Sequence, residues 1–451
     1  MNTTEIALLS VFRAALNGEA PKDPELTEGE WRNLLRLSEL HKILPLILDA
    51  SISLPSCRAA LRPVGAPVAA HSVRHVPPVS EGRADCLRYS QREPGRQIAR
   101  ATDASPDWKA AVLEQVGRQA IQENEFLNLI LALRERGLEP MVVKGCLCRS
   151  LWPKPLLRPS VDDDLLIRPE QAPAFHAALL ELGMTEDHET CDPETDWELS
   201  YHKPESPLYV ELHKCLFDPD SPVFSGFNSL FAGAFETAER TRVQDVDLLS
   251  PAPEQHLLFL ILHAYKHFLF SGFGLRIVTD ICLFARAYAD RIDFDRLLAT
   301  CEALRCHLFA AAVYRIGARC LGIPAPAAFD ALQVDETALL EDVLDAGLHG
   351  TEIDRLHSAN ITLRTVAEDR QGRQSRSGGL RTSLFPPAKV LESRYGFLRK
   401  RPWLLPVAWV RRLGAYVTDR RGHGQTHPTA TLRIGRQRVK LLETYGIVDR
   451  Q

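Results

Sequence analysis

Three consecutive carboxylates lead directly into an apolar run in Arg158-Pro159-Ser160-Val161-Asp162-Asp163-Asp164-Leu165-Leu166-Ile167. Few folds tolerate this, because like charges a few ångströms apart raise one another's pKa and burying them is costly unless a cation intervenes. In extended backbone, residues i and i+2 share a face. Asp162 and Asp164 are therefore expected to converge on one hard cation while Asp163 points the other way. A solvated acidic turn is the competing reading of these three residues alone. On the repulsion argument, Asp162→Asn and Asp164→Asn are expected to hold or raise the stability of the metal-free chain.

Two further segments suit the same chemistry. Val142-Val143-Lys144-Gly145 reads as a strand closing on a glycine before a helix, a place where backbone N–H groups and a lysine can hold phosphate. Val210-Glu211-Leu212-His213 places a carboxylate inside an apolar strand, where glutamate is disfavoured. A phosphate-holding turn, a carboxylate pair and a third carboxylate on a neighbouring strand are the parts that phosphoryl and nucleotidyl transfer require.

The surrounding pattern predicts five stretches. Residues 1–56 carry apolar positions at helical spacing. Residues 57–105 are rich in Arg and Pro, lack Lys and show no sustained period, so they read as an irregular insertion. Between 106 and 250, a long helix ending at Gly137 is followed by alternating strands and helices, the signature of an α/β domain. Residues 251–367 read as a helical domain, and 368–451 as a polar linker followed by a basic, aromatic tail. There Pro402 and Pro406 are expected to break any long amphipathic helix, leaving the tail to dock onto the helical domain.

Composition narrows the function classes. With 54 Lys+Arg against 58 Asp+Glu the chain is close to neutral, which argues against stable nucleic-acid binding over a broad basic face. No apolar run approaches a transmembrane segment and the N-terminus lacks the order of a signal peptide, so a cytoplasmic protein is expected. The 10 cysteines form no CxxC pair and read as buried thiols of a reducing compartment.

Taken in order, Lys144-Gly145, Arg158-Pro159, Asp162-x-Asp164-Leu165-Leu166, Leu182-Gly183 and Glu211-Leu212-His213 resemble the uncharacterised nucleotidyltransferase family of the DNA polymerase β-like superfamily. Flanking segments are similar too: His41-Lys42-Ile43-Leu44-Pro45, His263-x-x-x-His267 with Asp280, Leu384-Phe385-Pro386-Pro387 and Arg394-Tyr395. The resemblance implies a nucleotidyltransferase-like mixed sheet flanked by N-terminal helices and a C-terminal helical domain. It implies Asp162, Asp164 and Glu211 as catalytic Mg²⁺ ligands, with Lys144 and Gly145 against the triphosphate of an NTP. Arg158 would orient phosphate or pin the loop before the metal strand. Two departures stand out: Asp163 replaces an apolar residue, and Glu211 is longer than the usual aspartate.

His263 and His267 share a helix face at zinc-pair spacing, but no glutamate base lies between them, and a structural pair facing the cleft is the competing reading. Two functions follow. One is Mg²⁺-dependent transfer of a nucleoside monophosphate from an NTP to a hydroxyl or phosphate of a small-molecule or protein acceptor. The other is a catalytically weak nucleotide-binding or interaction protein that retains the fold.

Overall fold

The computed structural model describes residues 1–61, 107–187, 192–270, 272–345, 362–370, 391, 401–418 and 437–449. Four helices open the chain: α1 (Thr3–Leu16), α2 (Glu28–Leu40), α3 (Leu44–Ser51) and α4 (Pro55–Ala60). Asn2 and Thr27 start the first two with reciprocal capping boxes to Glu5 and Glu30. Helix α4 corrects the start of the expected insertion, since Cys57 and Ala60 are buried within it; residues 62–106 lie outside the described residues.

Helix α5 (Trp108–Glu135) follows and ends just before Gly137, whose φ of 74° supplies the left-handed stop. Then come β1 (Met141–Val142), α6 (Cys146–Arg149), β2 (Asp163–Leu166), α7 (Ala172–Glu181), β3 (Thr185–Glu186), β4 (Glu198–His202) and β5 (Tyr209–His213). These five strands form one mixed sheet in the order β1-β2-β5-β4-β3. Only the β2–β5 pair is parallel, because α7, β3 and β4 intervene and return the chain in the same direction. Its register sets Asp163 opposite Val210, Asp164 opposite Glu211 and Leu166 opposite His213.

Alternation along these strands divides the sheet into unlike faces. Leu165, Val210, Leu212, Leu199 and Tyr201 form one apolar core with Phe126 and Ile130 of α5 and with Phe175 and Leu179 of α7. The opposite face carries Asp164, Glu211 and His213. Beyond the sheet, β6 (Glu239–Val243) and β7 (Val246–Ser250) make a separate hairpin.

The helical region begins with α8 (Pro253–Phe270) and α9 (Leu275–Ala287). The stretch 294–322 divides into α10 (Phe294–Ala303) and α11 (His307–Ile316) at Arg305, whose φ is 56°. Shorter helices α12 (Ala327–Asp330) and α13 (Thr337–Asp345) complete it. One core unites residues distant in sequence: Phe12 and Trp31 near the N-terminus, Leu262 and Phe309 in the helical region, and Leu442 and Tyr445 near the C-terminus. Asn17 Nδ2 donates to Leu321 O at 2.9 Å, and Tyr445 Oη accepts from Leu339 N at 2.9 Å. Contrary to the expected break, a helix spans Leu405–Thr418, because Pro406 falls in its first turn, where a missing N–H is tolerated. Among the described residues no helix is long and apolar enough to cross a membrane.

Candidate active site

The site is built where β1 turns into α6 and where β2 meets β5. After β1 the chain turns at Gly145, with φ 60°, to enter α6. A Cβ there would lie 2.1 Å from Asp163 Oδ1, so the turn requires glycine on both conformational and steric grounds. His256 of α8 anchors the same turn, its Nε2 donating to Val143 O at 2.7 Å. Desolvation lowers the His256 pKa to about 4, so the imidazole is neutral at physiological pH.

Held this way, Lys144 extends over the polar sheet face. Its Nζ lies 2.8 Å from Asp164 Oδ2 and 3.9 Å from Asp162 Oδ2. It also lies 3.3 Å from His263 Nε2, which must accept, because an ammonium has only donors. Burial alone would lower the lysine's pKa, but the Asp164, Asp162 and Glu211 carboxylates override it and hold the ammonium charged. Asp164 answers in the opposite sense. Burial would raise its pKa, yet Lys144 and the hydrogen bond with His213 hold it well below the usual carboxylate range.

Glu211 stands directly across from Asp164 in the parallel ladder. Its pKa is raised, mainly by burial and further by the nearby Asp162, Asp164 and Glu198 carboxylates, although His213 works against the shift. His213 Nε2 lies 3.1 Å from Asp164 Oδ1 and 3.5 Å from Glu211 Oε2. One ligand atom each from Asp164, Glu211 and His213 fall within 4.8 Å of one another. Burial would lower the His213 pKa, but its hydrogen bonds to Asp164 and Glu211 raise it to about 10.

The three aspartates thus separate as strand geometry demands. Asp162 flanks Lys144 from the loop, half-exposed, and stands outside the tight three-residue cluster. Asp163 points to the other side, where Gln122 Nε2 donates to its Oδ2 at 3.0 Å. Desolvation raises the Asp163 pKa to about 6, although Arg149 and Gln122 oppose it. Arg149 is itself fully buried and paired with Glu123 of α5.

Arg158 does not face this cluster with a free guanidinium. Its Nε and Nη2 donate to Asp280 Oδ1 and Oδ2 at 2.8 and 2.6 Å, and Trp152 Nε1 donates to the same Asp280 Oδ1 at 2.8 Å. Arg276 Nη1 adds a bond to Pro159 O at 2.7 Å, and Ser160 N donates to Gln119 Oε1 at 2.6 Å. The loop before β2 is fastened at both ends. His263 and His267 pack with ring centroids 4.5 Å apart, and their pKa values are lowered by burial, His267 to about 3. Among the described residues the one group of metal-capable side chains is Asp164, Glu211 and His213, so the histidine pair of α8 stands beside the cluster through Lys144.

Sequence reasoning passed over His213 and Glu198 as site residues. The signal was present: His213 is two residues beyond Glu211 and so shares its face. The donor set fits a divalent cation. Two carboxylates and an imidazole converge, and a cationic ammonium already sits on Asp164.

Comparison with known proteins gives one family match. A sequence model described as uncharacterised nucleotidyltransferase matches residues 87–322, slightly more than half of the chain, and includes Lys144, Asp162, Asp164 and Glu211. The His41–Pro45 segment and the motifs at 384–395 fall outside that match, and most of the latter lie outside the described residues. No curated protein and no solved structure matches the chain. Since that match covers more than half of the chain, the chain belongs to the uncharacterised nucleotidyltransferase family.

Proposed function

We propose that the protein transfers a nucleoside monophosphate from an NTP to a hydroxyl or phosphate of a small-molecule or protein acceptor, with Mg²⁺. The observation carrying this reading is the in-register pairing of Asp164 and Glu211 on parallel neighbouring strands, with a cationic group already seated between Asp164 and Asp162. Divalent metal would neutralise triphosphate charge and lower the pKa of the attacking group. An acceptor oxygen bonds to the α-phosphorus, the bond from that phosphorus to the bridging oxygen breaks, and pyrophosphate leaves. The acceptor's proton passes to solvent.

In this reading Asp162, Asp164 and Glu211 hold metal. Lys144 and the Gly145 turn face the triphosphate, since Lys144 already projects over the carboxylates on a turn with no side chain at its apex. Arg158 holds the β2 loop through Asp280 and contacts phosphate at most with its remaining Nη1. The domain boundaries at 105, 250 and 367 remain our division of the chain, with the first boundary moved past α4. A cytoplasmic location accords with the free cysteines among the described residues.

The second reading, a catalytically weak nucleotide-binding protein, draws on one observation: Lys144 neutralises Asp164 from within the chain. Pyrophosphate release from each of the four Mg²⁺-NTPs distinguishes the two. Transfer predicts Mg²⁺-dependent release that Asp164→Asn abolishes. Nucleotide binding without release at any protein concentration would favour the second reading.

A further inference from the structure

His213 closes β5 two residues beyond Glu211, with its two ring nitrogens in different surroundings. Nε2 faces Asp164 Oδ1 at 3.1 Å and Glu211 Oε2 at 3.5 Å. Nδ1 lies 3.6 Å from Glu198 Oε2, on the neighbouring strand and in direct register with His213. A carboxylate behind one nitrogen while the other faces two more carboxylates is the arrangement by which proteins orient an imidazole toward metal. The residue is buried at 6% exposure, and the Trp197 indole lies 5.9 Å from its ring, which restricts it further.

Asp164 is shared unequally. Its Oδ2 faces Lys144, which also reaches Asp162, whereas its Oδ1 faces His213, which also reaches Glu211. The carboxylate can therefore bridge two cation positions, one formed with Asp162 and one formed with Glu211 and His213. The first offers only oxygen, the preference of Mg²⁺, which keeps its waters and demands octahedral oxygen ligands. The second includes an imidazole nitrogen, a softer donor that suits first-row transition ions.

We propose that Asp164, Glu211 and His213 form a second cation site that takes a first-row transition ion in preference to Mg²⁺, with His213 Nε2 as a ligand and Glu198 as its positioning residue. This deepens the transferase reading and rests on its assignment of the carboxylate cluster to cations. On loading, Nε2 would release its proton to solvent and exchange its contacts with the two carboxylates for a bond to the ion, while Nδ1 keeps its proton toward Glu198.

Pulsed electron paramagnetic resonance of Mn²⁺ bound to the full chain, without nucleotide, tests the site directly. The expected spectrum contains a directly coordinated nitrogen that changes with isotopic labelling of histidine, is lost in His213→Asn and persists in His263→Asn. Competition should show Mn²⁺ bound at least about tenfold more tightly than Mg²⁺ at this position, with the ratio falling to about one in His213→Asn. Glu198→Gln should weaken Mn²⁺ by roughly tenfold while keeping the nitrogen signal. Mn²⁺ bound with no coordinated nitrogen in the wild type would overturn the proposal, and that spectrum needs no variant to fold. An unchanged Mn²⁺ to Mg²⁺ ratio in folded His213→Asn would overturn it equally. Because nucleotide is absent, these results are separate from those for transfer: pyrophosphate release with a nitrogen-free metal would remove His213 alone, whereas nitrogen-bound Mn²⁺ without pyrophosphate release would remove only the transferase reading.

Discussion

The two faces of the central sheet are built from the same strands and have opposite chemistry. On one, Leu165, Val210, Leu212 and Tyr201 are sealed beneath α5 and α7. On the other, Asp164, Glu211 and His213 crowd together around Lys144. Asp163 and Asp164 sample the two environments one residue apart. Asp163 faces burial with an amide partner, and its proton is held more tightly; Asp164 faces a lysine and a histidine, and its charge is held more tightly. The partners a carboxylate meets therefore decide whether its charge costs stability or contributes to it, since Glu211 shares the face of Asp164 and yet has its pKa raised by burial and by neighbouring carboxylates.

The largest expected effect separates the faces by activity. Asp164→Asn should lower the rate of pyrophosphate release by about 10³-fold, as loss of a metal carboxylate removes several kcal/mol of charge stabilisation. Asp163→Asn should change it by less than about tenfold. Comparable losses in both, measured on folded protein, would break the comparison.

Stability offers the next test, and here the structure corrects the repulsion argument made from sequence. A depressed carboxyl pKa contributes stability that is present above the unfolded value and is lost only as pH falls through the folded one. Asp164→Asn therefore should not hold or raise stability. At pH 8 it should cost roughly 3 kcal/mol in denaturant melts, because it leaves the Lys144 ammonium without its nearest partner. For Asp163 the sign reverses, since a raised carboxyl pKa makes ionisation costly in the fold. Asp163→Asn should gain on the order of 1 kcal/mol at pH 8. Gains, or losses, in both variants would show that these different partners do not set the sign.

Gly145 joins the faces, since a Cβ on it would meet Asp163 while the lysine before it reaches Asp164. Gly145→Ala should cost about 2 kcal/mol through strain at positive φ and overlap with Asp163. Asp163→Ala in the same chain should recover part of that loss by removing the overlapping oxygen. Absence of any recovery would place the whole cost in the backbone.

The smallest effect concerns the anchor behind the turn. His256 has its pKa lowered to about 4 by burial, against an ordinary value of 6.5, so the unfolded chain binds the extra proton first. Its contribution is complete above pH 6.5 and is lost as pH falls toward 4. His256→Gln should flatten this acid limb by on the order of 1 kcal/mol in thermal melts. An unchanged limb would place the acid sensitivity elsewhere.

Much of this arrangement can be read along the chain because a strand's period of two is local. Asp162, Asp163 and Asp164 leading into Leu165 announce alternating faces, and Glu211 inside an apolar strand announces a second polar position. The register that sets Asp164 against Glu211 depends on the crossover through α7, β3 and β4, and no local pattern specifies it. The same holds for Asp280, which reaches Arg158 from 122 residues away, and for the core that joins Phe12 to Tyr445. His213 is ambiguous in sequence, since a histidine at a strand end is as compatible with ordinary packing as with a ligand until its two nitrogens are located.

The central claim, that the polar face handles a metal-bound triphosphate, is tested most directly by a melting series of wild type, Asp162→Asn and Asp164→Asn with and without Mg²⁺-ATP. Triphosphate and carboxylates repel unless divalent metal lies between them. The account predicts a stabilising shift for the wild type that requires both Mg²⁺ and ATP and is reduced in both variants relative to their own unliganded melts. A wild type unmoved by Mg²⁺-ATP, or variants shifted as far as the wild type, would contradict it.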